Sequence, residues 1–307
     1  MTGALPSVHP GAGLPTSVTV YEVGPRDGLQ VEAAIVPTEL KISFIRDLLA
    51  AGLSPVEATS FVSPTWIPQL ADAADVLAGL DDLAQHPVLV PNLKGLERAA
   101  ASGARTVAVF ISATETFAQR NLNTTRDGAL AMATEVVTSA LEQGMQVRGY
   151  VSMCFGDPWE GAVDPADVAR ISRSLVDAGC YEVSLGDTIG VGTPGHVAVL
   201  LEEHRRAGVA MDRLALHFHD TYGQALANVL AGLLSGVTTY DASAGGIGGC
   251  PYAESATGNL ATEDLLWMLT GLGIETGVDL EAVVRAGRVV TDFLGRSPSR
   301  IAQALSD

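Results

Sequence analysis

The pair His217 and His219 is the sharpest chemical feature of the sequence, within Leu-His-Phe-His-Asp at 216–220. Side chains of a β-strand alternate between its two faces, so in a strand both imidazoles face the same side. Two nitrogens on one face form part of a metal site, which oxygen ligands from other strands would complete. The alternative is a pair of hydrogen-bonded histidines in the core.

Arg26 and Asp27 come directly after a predicted strand, in Val-Gly-Pro-Arg-Asp-Gly at 23–28. Glycine and proline favour a tight turn that aims the pair inward, although Arg-Asp-Gly also occurs in turns as a surface ion pair. If Asp27 joins the two histidines and a side-chain carbonyl such as that of Asn259, the donors are oxygen and nitrogen without thiolate. Such a set suits Mg²⁺ or Mn²⁺ better than structural zinc.

The three cysteines are an odd number at wide spacing, which argues against a disulfide framework. Cys154 and Cys180 lie in apolar segments, where a buried and inert thiol is expected. Cys250 instead follows four glycines at 245–249 and precedes a proline. We interpret this segment as a loop that closes over a site, with a thiol that acts as a general acid or base. The alternative is a flexible loop with an incidental cysteine.

Two other chemistries are disfavoured. The segment 190–195 satisfies G-x-G-x-x-G, but no acidic residue ends a strand about 20 positions later, as binding of a nicotinamide dinucleotide requires. The start of the following helix can still bind a phosphate. The only lysines are Lys41, in the first predicted helix, and Lys94, beyond the third predicted strand. A Schiff-base mechanism, which needs a lysine inside the fold, is therefore disfavoured.

Short apolar runs alternate with helix-like segments along nearly the whole chain. We predict eight strands, each followed by a helix, at 18–23, 56–61, 88–90, 106–111, 147–154, 181–185, 214–217 and 238–242. Eight such units in about 250 residues predict an α/β fold, a TIM (β/α)8 barrel with extra C-terminal helices at 280–294 and 297–305. A doubly wound sheet is the alternative.

Helix starts are predicted near Thr38, Pro165 and Pro194, and no linker interrupts the later sequence. We therefore expect a flexible leader over residues 1–17 and a single catalytic domain over 18–307. Active sites of such barrels lie where the strands end. Polar residues gather at those places, on or after the predicted strands: Glu22, Glu57, Thr59, Ser60, Asn92, Ser112, Thr114, Ser152, Asp187 and Thr188.

Composition excludes several classes of partner. The chain has 307 residues and a formal net charge of −17, so it repels phosphate backbones and anionic lipid surfaces. No apolar run is long enough to span a bilayer, and the N-terminal segment lacks the pattern of a secretory signal. We expect a cytoplasmic protein that binds neither nucleic acid nor membrane.

A set of motifs in fixed order resembles 3-hydroxy-3-methylglutaryl-CoA (HMG-CoA) lyase, among the metal-dependent barrel lyases that include 2-isopropylmalate synthase. The resemblance runs from about residue 20 to 272. Its motifs are Gly-Pro-Arg-Asp-Gly-Leu-Gln at 24–30, Ala-Thr-Ser-Phe-Val-Ser-Pro at 58–64, Pro-Asn-Leu-Lys-Gly at 91–95, Gly-Asp-Thr-Ile-Gly-Val-Gly-Thr-Pro-Gly at 186–195, the His-x-His segment through Asn228, Gly-Gly-Cys-Pro-Tyr-Ala at 248–253 and Gly-Asn-Leu-Ala-Thr-Glu-Asp at 258–264.

The resemblance implies an enzyme that cleaves HMG-CoA to acetyl-CoA and acetoacetate, as in leucine degradation and ketone-body formation. It implies a divalent cation, Mg²⁺ or Mn²⁺, as cofactor and a small acyl-CoA as partner, with a homodimer as a further expectation. The implied metal ligands are Asp27, His217, His219 and Asn259. The implied catalytic residues are Arg26, which contacts substrate oxygens, Cys250 of a mobile loop, the carboxylate Glu57, and His217 or Asp27 as the group that removes the hydroxyl proton.

Two segments depart from the family pattern. Gly-Asp-Pro-Trp at 156–159 stands where Gly-Cys-Pro-Tyr is expected, and Glu-Ser-Ala-Thr at 254–257 replaces Gln-Gly-Ala-Ser. These changes leave a related 3-hydroxyacyl-CoA open as the substrate. A condensing acyltransferase that joins acetyl-CoA and a 2-oxoacid is the second hypothesis, disfavoured because only about 35 residues follow the motifs. A metal-dependent hydrolase and an inactive binding barrel are further alternatives.

Overall fold

The computed structural model describes residues 6–249 and 258–305. Eight strands lie in this part of the chain. They are β1 (Thr19–Glu22), β2 (Thr59–Ser60), β3 (Val88–Leu89), β4 (Thr106–Ser112), β5 (Gln146–Ser152), β6 (Glu182–Asp187), β7 (Leu214–Phe218) and β8 (Thr239–Ala242).

Helices alternate with the strands and cover the outside of the sheet. Within the described ranges they are α1 (Thr38–Ala50), α2 (Ala73–Ala78), α3 (Leu93–Ala101), α4 (Glu115–Leu122), α5 (Arg126–Glu142), α6 (Pro165–Ala178), α7 (Pro194–Arg206), α8 (Ala225–Leu234), α9 (Thr262–Gly271), α10 (Leu280–Leu294) and α11 (Arg300–Ala304). None of the helices described here is long and apolar enough to cross a membrane.

All strand pairs are parallel, in the order β1-β8-β7-β6-β5-β4-β3-β2. The two ends of this sheet meet at a bridge between Glu22 and Val56. There the amide of Glu57 donates to Glu22 O at 2.8 Å, and the amide of Glu22 donates to Pro55 O at 3.2 Å. These bonds bring β1 beside β2, so the predicted barrel, rather than a doubly wound sheet, is the fold.

Most predicted strands match within two residues, but β2 is shorter than the predicted 56–61. The amide of Ala58 donates to Pro87 O at 3.0 Å, and Pro87 has no N–H to return to the ladder. Regular pairing with β3 therefore begins only at Thr59. The backbone of 56–58 still lines up with its neighbours, so this segment occupies the place of a barrel strand.

The predicted helix starts at Thr38, Pro165 and Pro194 are confirmed. The extra helix α10 also has the predicted bounds, whereas α11 is shorter than the predicted 297–305. It begins after Pro298, and Ser299 caps it by accepting from the Ala302 amide at 3.2 Å. Residues of the expected leader contact the C-terminal part of the barrel: the His9 amide donates to Gly271 O at 2.8 Å.

The main apolar core lies between the strands and the surrounding helices, where Val, Leu and Ile side chains of the strands face outward. The interior of the barrel is different, because several inward-facing side chains are charged. Arg148 on β5 and Asp241 on β8 are both almost completely buried there. Since a buried charge is costly unless it is paired, this interior must hold a connected polar network.

Candidate active site

A cavity of about 730 Å³ opens at the end of the barrel where the strands terminate. Arg26, Asp27, Tyr150, His217 and His219 line its polar part. Much of its remaining wall is apolar or aromatic, formed by side chains such as Val62, Trp66, Ile67, Phe110, Phe117, Leu122 and Met132. A polar end with a long apolar wall suits a ligand that carries its reactive oxygens at one end.

Asp27, His217 and His219 converge at the polar end of the cavity. Each offers a ligand atom, and the three atoms lie within 4.8 Å of one another. His217 is on β7 and His219 directly follows it, and their ring centroids are 5.3 Å apart. The expectation that both imidazoles face the interior is confirmed, and the alternative of two core histidines without a third ligand does not fit.

A tight turn at Gly24–Gly28 brings Asp27 into this group. The carbonyl of Val23 accepts from the amides of Arg26, Asp27 and Gly28, which coils the chain so that both charged side chains are buried. Gly28 has no room for a side chain, because a Cβ there would lie 2.6 Å from Ile247. Arg26 and Asp27 therefore form a buried pair, and not the surface ion pair of an ordinary turn.

Asn259 lies beside Asp27, on the strand-like segment that pairs with His219. Its Nδ2 donates to Asp27 Oδ2 at 2.9 Å and to Ile247 O at 3.1 Å. Its Oδ1 is buried and has no hydrogen-bond partner among residues 6–249 and 258–305. A buried carbonyl oxygen without a partner is costly, and a bound cation would satisfy it. The predicted fourth ligand thus has a suitable atom available.

Arg26 is fixed by two carboxylates. Its Nη1 donates to Asp27 Oδ1 at 2.6 Å, and its Nε donates to Glu57. Burial alone would lower the pKa of Arg26, but Glu57 and then Asp27 raise it above its ordinary value. Glu57 is fully buried and holds Arg26 in place, and a catalytic role for this carboxylate stays a prediction.

A second polar layer lies deeper in the barrel and was not predicted from the sequence. Arg148 donates from Nη2 to Asp241 Oδ1 at 2.7 Å, from Nε to Glu182 Oε2 at 2.8 Å and from Nη1 to the Tyr150 hydroxyl at 2.8 Å. Tyr150 in turn donates to Glu57. A chain of hydrogen bonds therefore connects Arg148 to Arg26 and the candidate metal site.

The buried charges in these two layers do not balance. Two guanidinium groups, Arg26 and Arg148, face four carboxylates, Asp27, Glu57, Asp241 and Glu182. Two negative charges remain, which is the charge a divalent cation would neutralise. Together with the donor atoms and the unpartnered carbonyl oxygen, this excess makes the residues fit a divalent metal ion.

The pKa values of the site follow from these contacts. Burial by itself would raise the pKa of Asp27, but Arg26 and then His217 and His219 lower it. Burial would also raise the pKa of Asp241, yet Arg148 and then His217 lower it to about 2. Both carboxylates are therefore held ionised, as metal binding and support of a ligand require.

The glycine motif at 190–195 serves a carboxylate of the protein itself. Asp187 at the end of β6 accepts from the amides of Val191 and Gly192, both at 2.9 Å. A side chain at Gly192 would lie 2.8 Å from Asp187 Oδ2. These two amides are therefore engaged within the protein, whereas the helix α7 begins only at Pro194, and phosphate binding at its start stays a prediction.

Other predicted residues separate into two groups. Asn92, Ser152 and Thr188 line the cavity, whereas Lys94 is exposed on α3 and outside the described lining. Cys250 and the departure at 254–257 lie outside the described residues, although Gly249 lines the cavity. Asp157 of the departure at 156–159 accepts from the Thr114 hydroxyl at 2.6 Å, which ties the loop after β5 to the loop after β4.

The sequence contains one signal for the residues of the deeper polar layer, which is a charged residue within a predicted buried strand. Arg148 and Asp241 stand within predicted strands whose other side chains are all uncharged. A charge on a buried strand requires an opposite charge nearby, so the two could have been paired by sign alone. Tyr150 carries no such signal, since tyrosine is a common strand residue.

The family profile that matches this chain is HMGL-like, over residues 17–290. The chain belongs to the HMGL-like family. Among curated relatives, the mitochondrial hydroxymethylglutaryl-CoA lyase of Arabidopsis thaliana is 52% identical over 96% of this chain, which spans 63% of that protein. The cytoplasmic 3-hydroxy-3-methylglutaryl-CoA lyase of Rattus norvegicus is 48% identical over 95% of this chain and 86% of that protein.

Solved structures of HMGL-like relatives have the same fold. Hydroxymethylglutaryl-CoA lyase from Pseudomonas aeruginosa superposes with a TM-score of 0.92 at 50% identity, covering 96% of this chain and 99% of that chain. An HMG-CoA lyase from Acinetobacter baumannii, in complex with coenzyme A and 3-methylmalate, has a TM-score of 0.89 at 37% identity and covers 96% and 97%. Relatives are named from two compartments, so the cytoplasmic location stays a prediction.

Proposed function

We propose that this HMGL-like protein is a carbon–carbon lyase that cleaves HMG-CoA to acetyl-CoA and acetoacetate. The observation that carries the proposal is the convergence of Asp27, His217 and His219 beside the buried Arg26, at the polar end of a largely apolar cavity. The HMG-CoA lyases among its relatives supply the substrate class. The acyl-CoA is the proposed small-molecule partner, and residues 18–307 are the proposed catalytic domain.

Asp27, His217, His219 and Asn259 are the proposed ligands of Mg²⁺ or Mn²⁺. Their oxygen and nitrogen donors, without thiolate, favour these ions. When bound, the ion supplies Lewis-acid stabilisation of negative charge on substrate oxygens. The residues that surround it keep that charge in a confined, largely apolar space, where electrostatic interactions are stronger than in water.

The reaction breaks the C2–C3 bond of the thioester. A base, His217 or Asp27, removes the proton of the C3 hydroxyl, and the C3–O electrons form the ketone of acetoacetate. The electron pair of the broken bond passes to C2, which gives the enolate of acetyl-CoA. Cys250 is the proposed acid that returns a proton to C2.

Arg26 stabilises the charge that develops on the enolate oxygen. Its Nε and Nη1 are engaged by Glu57 and Asp27, so its position is set before substrate binds. In the described part of the chain Nη2 has no protein partner, which leaves that donor for a substrate oxygen. A donor fixed in advance stabilises the transition state without a cost of reorganisation.

Acetoacetate release from HMG-CoA tests the proposal, measured with and without Mg²⁺. We expect turnover by the wild type, its loss with EDTA and its recovery with Mg²⁺ or Mn²⁺. Because Cys250 supplies the proton, Cys250→Ala is expected to lower kcat by about 10²–10⁴-fold. His217→Ala loses a proposed metal ligand and one of the two candidate bases, so we expect no measurable activity.

Cys180→Ala is the matched control, because this thiol is buried in the core and burial raises its pKa to about 12. It should retain activity close to the wild type. No turnover with any divalent ion would contradict the lyase proposal. Full activity of Cys250→Ala would remove that thiol from the mechanism, and turnover of only a different 3-hydroxyacyl-CoA would change the proposed substrate.

A further inference from the structure

Asp241 lies directly beneath His217 in the barrel interior. His217 Nδ1 is 3.3 Å from Asp241 Oδ2, and His217 Nε2 is 4.0 Å from Asp27 Oδ2 on the opposite side of the ring. Nδ1 is buried, and within the described residues its contact with Asp241 has the distance of an ion pair without the geometry of a full hydrogen bond. The ring is thus placed between two carboxylates with different roles, one in the candidate metal site and one below it.

Asp241 itself is held rigidly by residues that lie away from the cavity. Arg148 donates to both of its oxygens, at 2.7 Å to Oδ1 and 3.3 Å to Oδ2, and Ser184 donates to Oδ2 at 2.7 Å. Arg148 is in turn fixed by Glu182 and lies over the Tyr21 ring at 3.7 Å from its centre. A carboxylate with this many donors has one orientation and keeps its acceptor oxygen toward His217.

A neutral imidazole carries its proton on one nitrogen and a lone pair on the other. A carboxylate beside Nδ1 favours the form with hydrogen on Nδ1, because only that form has a donor for the acceptor oxygen. The lone pair is then on Nε2, the nitrogen that faces Asp27. Carboxylates in this position orient histidine ligands in many metal sites and strengthen the ligand.

We propose that Asp241, held by Arg148 and Ser184, is a positioning residue that keeps His217 in its Nδ1–H form with Nε2 directed at the metal site. The inference rests on the metal site of the proposed function. Arg148 acts on His217 through Asp241. A second chain of hydrogen bonds runs from Arg148 through Tyr150 and Glu57 to Arg26. One buried guanidinium therefore helps to position both a proposed metal ligand and the proposed substrate-binding arginine.

Asp241→Asn tests this role with little change of shape. The asparagine oxygen would take the contact with Arg148 Nη2, and the amide nitrogen would then face His217 Nδ1 as a donor. We expect the ring to change to the Nε2–H form and the affinity for Mn²⁺ to fall by about 10–100-fold. The ring form is read by long-range ¹H–¹⁵N NMR, with His217→Gln for assignment, and Mn²⁺ affinity by the EPR signal of the free ion.

Asp177→Asn is the matched control, because it is the same substitution at an exposed position of α6, where Asp177 pairs with Arg173 at 2.8 Å; we expect an unchanged ring form and Mn²⁺ affinity within about threefold. Unchanged ring form and Mn²⁺ affinity in a folded Asp241→Asn would overturn the proposal. An Nε2–H ring in the wild type would overturn it without any variant. Absence of Mn²⁺ binding by the wild type would instead contradict the proposed metal site, and the ring form would still decide the role of Asp241.

Discussion

Individual side chains of the site depend on partners that hold them from behind. Arg26 is engaged by Glu57 and Asp27, and His217 rests on Asp241. Each contact is buried, so the loss of one partner leaves a charge or a donor without compensation. The proposed chemistry at the cavity surface therefore depends on buried residues behind it, such as Glu57 and Asp241.

Arg26→Lys should lower kcat by about 10²–10³-fold, although the charge is kept. A lysine ammonium has its three donors on one nitrogen, so it cannot reproduce the separated, planar donors by which Arg26 contacts Glu57 and Asp27 and faces a substrate oxygen. Arg126→Lys is the control, because Arg126 forms a partly exposed pair with Asp167 at 3.2 Å outside the cavity. Steady-state kinetics compares the two, and equal activity of Arg26→Lys and wild type would contradict the role of the guanidinium.

His204 lies outside the candidate active site and is expected to affect the pH dependence of folding stability. It is buried on α7 between Leu200 O at 2.8 Å and the Ser172 hydroxyl at 3.0 Å, and burial lowers its pKa to about 4. The unfolded chain has a histidine pKa of about 6.5. The folded state binds the proton less well, so stability is lost as the pH falls from about 6.5 to about 4, at up to about 1.4 kcal/mol per pH unit.

His204→Gln should remove this pH dependence. Between pH 7 and pH 5, the free energy of unfolding of the wild type should fall by about 2 kcal/mol relative to the variant. Urea unfolding followed by circular dichroism at both pH values measures the difference. If the free energies of unfolding of the wild type and the variant differ by the same amount at pH 7 and pH 5, His204 is not protonated on unfolding in this range.

At the scale of elements, α10 packs against the turn that begins the glycine-rich segment after β8. Gly245 and Gly246 both have positive φ, of 76° and 65°, which favours glycine at these positions. Gly245 N donates to Glu263 Oε1 on α9 at 2.9 Å. The three elements meet closely, since a Cβ on Gly287 of α10 would lie 2.8 Å from Glu263 Oε1 and 3.1 Å from Gly245 N.

Gly287→Ala should therefore lower the free energy of unfolding by about 1–3 kcal/mol, because the added methyl group has no space. Gly195→Ala is the matched control: it is also a glycine-to-alanine change in a helix, α7, and its Cβ would meet no atom within 4 Å. That change should be neutral or stabilise by up to about 1 kcal/mol. Equal unfolding midpoints in urea for the two variants would contradict the close approach of α10.

At the scale of the whole molecule, the C-terminal segment ties together loops that carry the site. Arg296 contacts Glu32, shortly after the turn of Asp27, at 3.0 Å. Arg300 contacts Asp220, next to His219, at 3.0 Å. The extra helices thus support the end of the barrel that holds the cavity, and a homodimer through them stays a prediction.

Arg296→Ala should lower the free energy of unfolding by about 1 kcal/mol, since the carboxylate of Glu32 loses its charged partner while Arg296 itself is partly exposed. Arg285→Ala is the control, because the ion pair of Arg285 with Glu281 is 4.0 Å long and both side chains are mostly exposed. It should change stability by less than about 0.5 kcal/mol. Similar losses for both variants in urea unfolding would contradict a specific role for Arg296.

The net charge of −17 disfavours extended polyanions as partners, and the proposed substrate is itself a small anion. Its binding requires a local positive field, which Arg26 and the proposed cation would provide. The charge of the whole surface therefore limits the class of partner but does not describe the site.

The sequence by itself determined the alternation of strands and helices and the place of the polar residues at the strand ends. Periodicity and helix starts are local, which is why α10, the start of α7 and the common face of His217 and His219 were predicted correctly. Asp27 was also proposed as a metal ligand, because motif order carries information on distant neighbours.

Only the tertiary structure decided which residues support the site. Arg148 and Asp241 are 93 positions apart in sequence, and their contact exists because β5 and β8 face each other across the closed barrel. The roles of Glu57 and of the amides after Asp187 likewise depend on packing, since a carboxylate can face substrate, an arginine or a loop with the same local sequence. Long-range pairing inside the barrel is a property of closure, and local sequence patterns do not contain it.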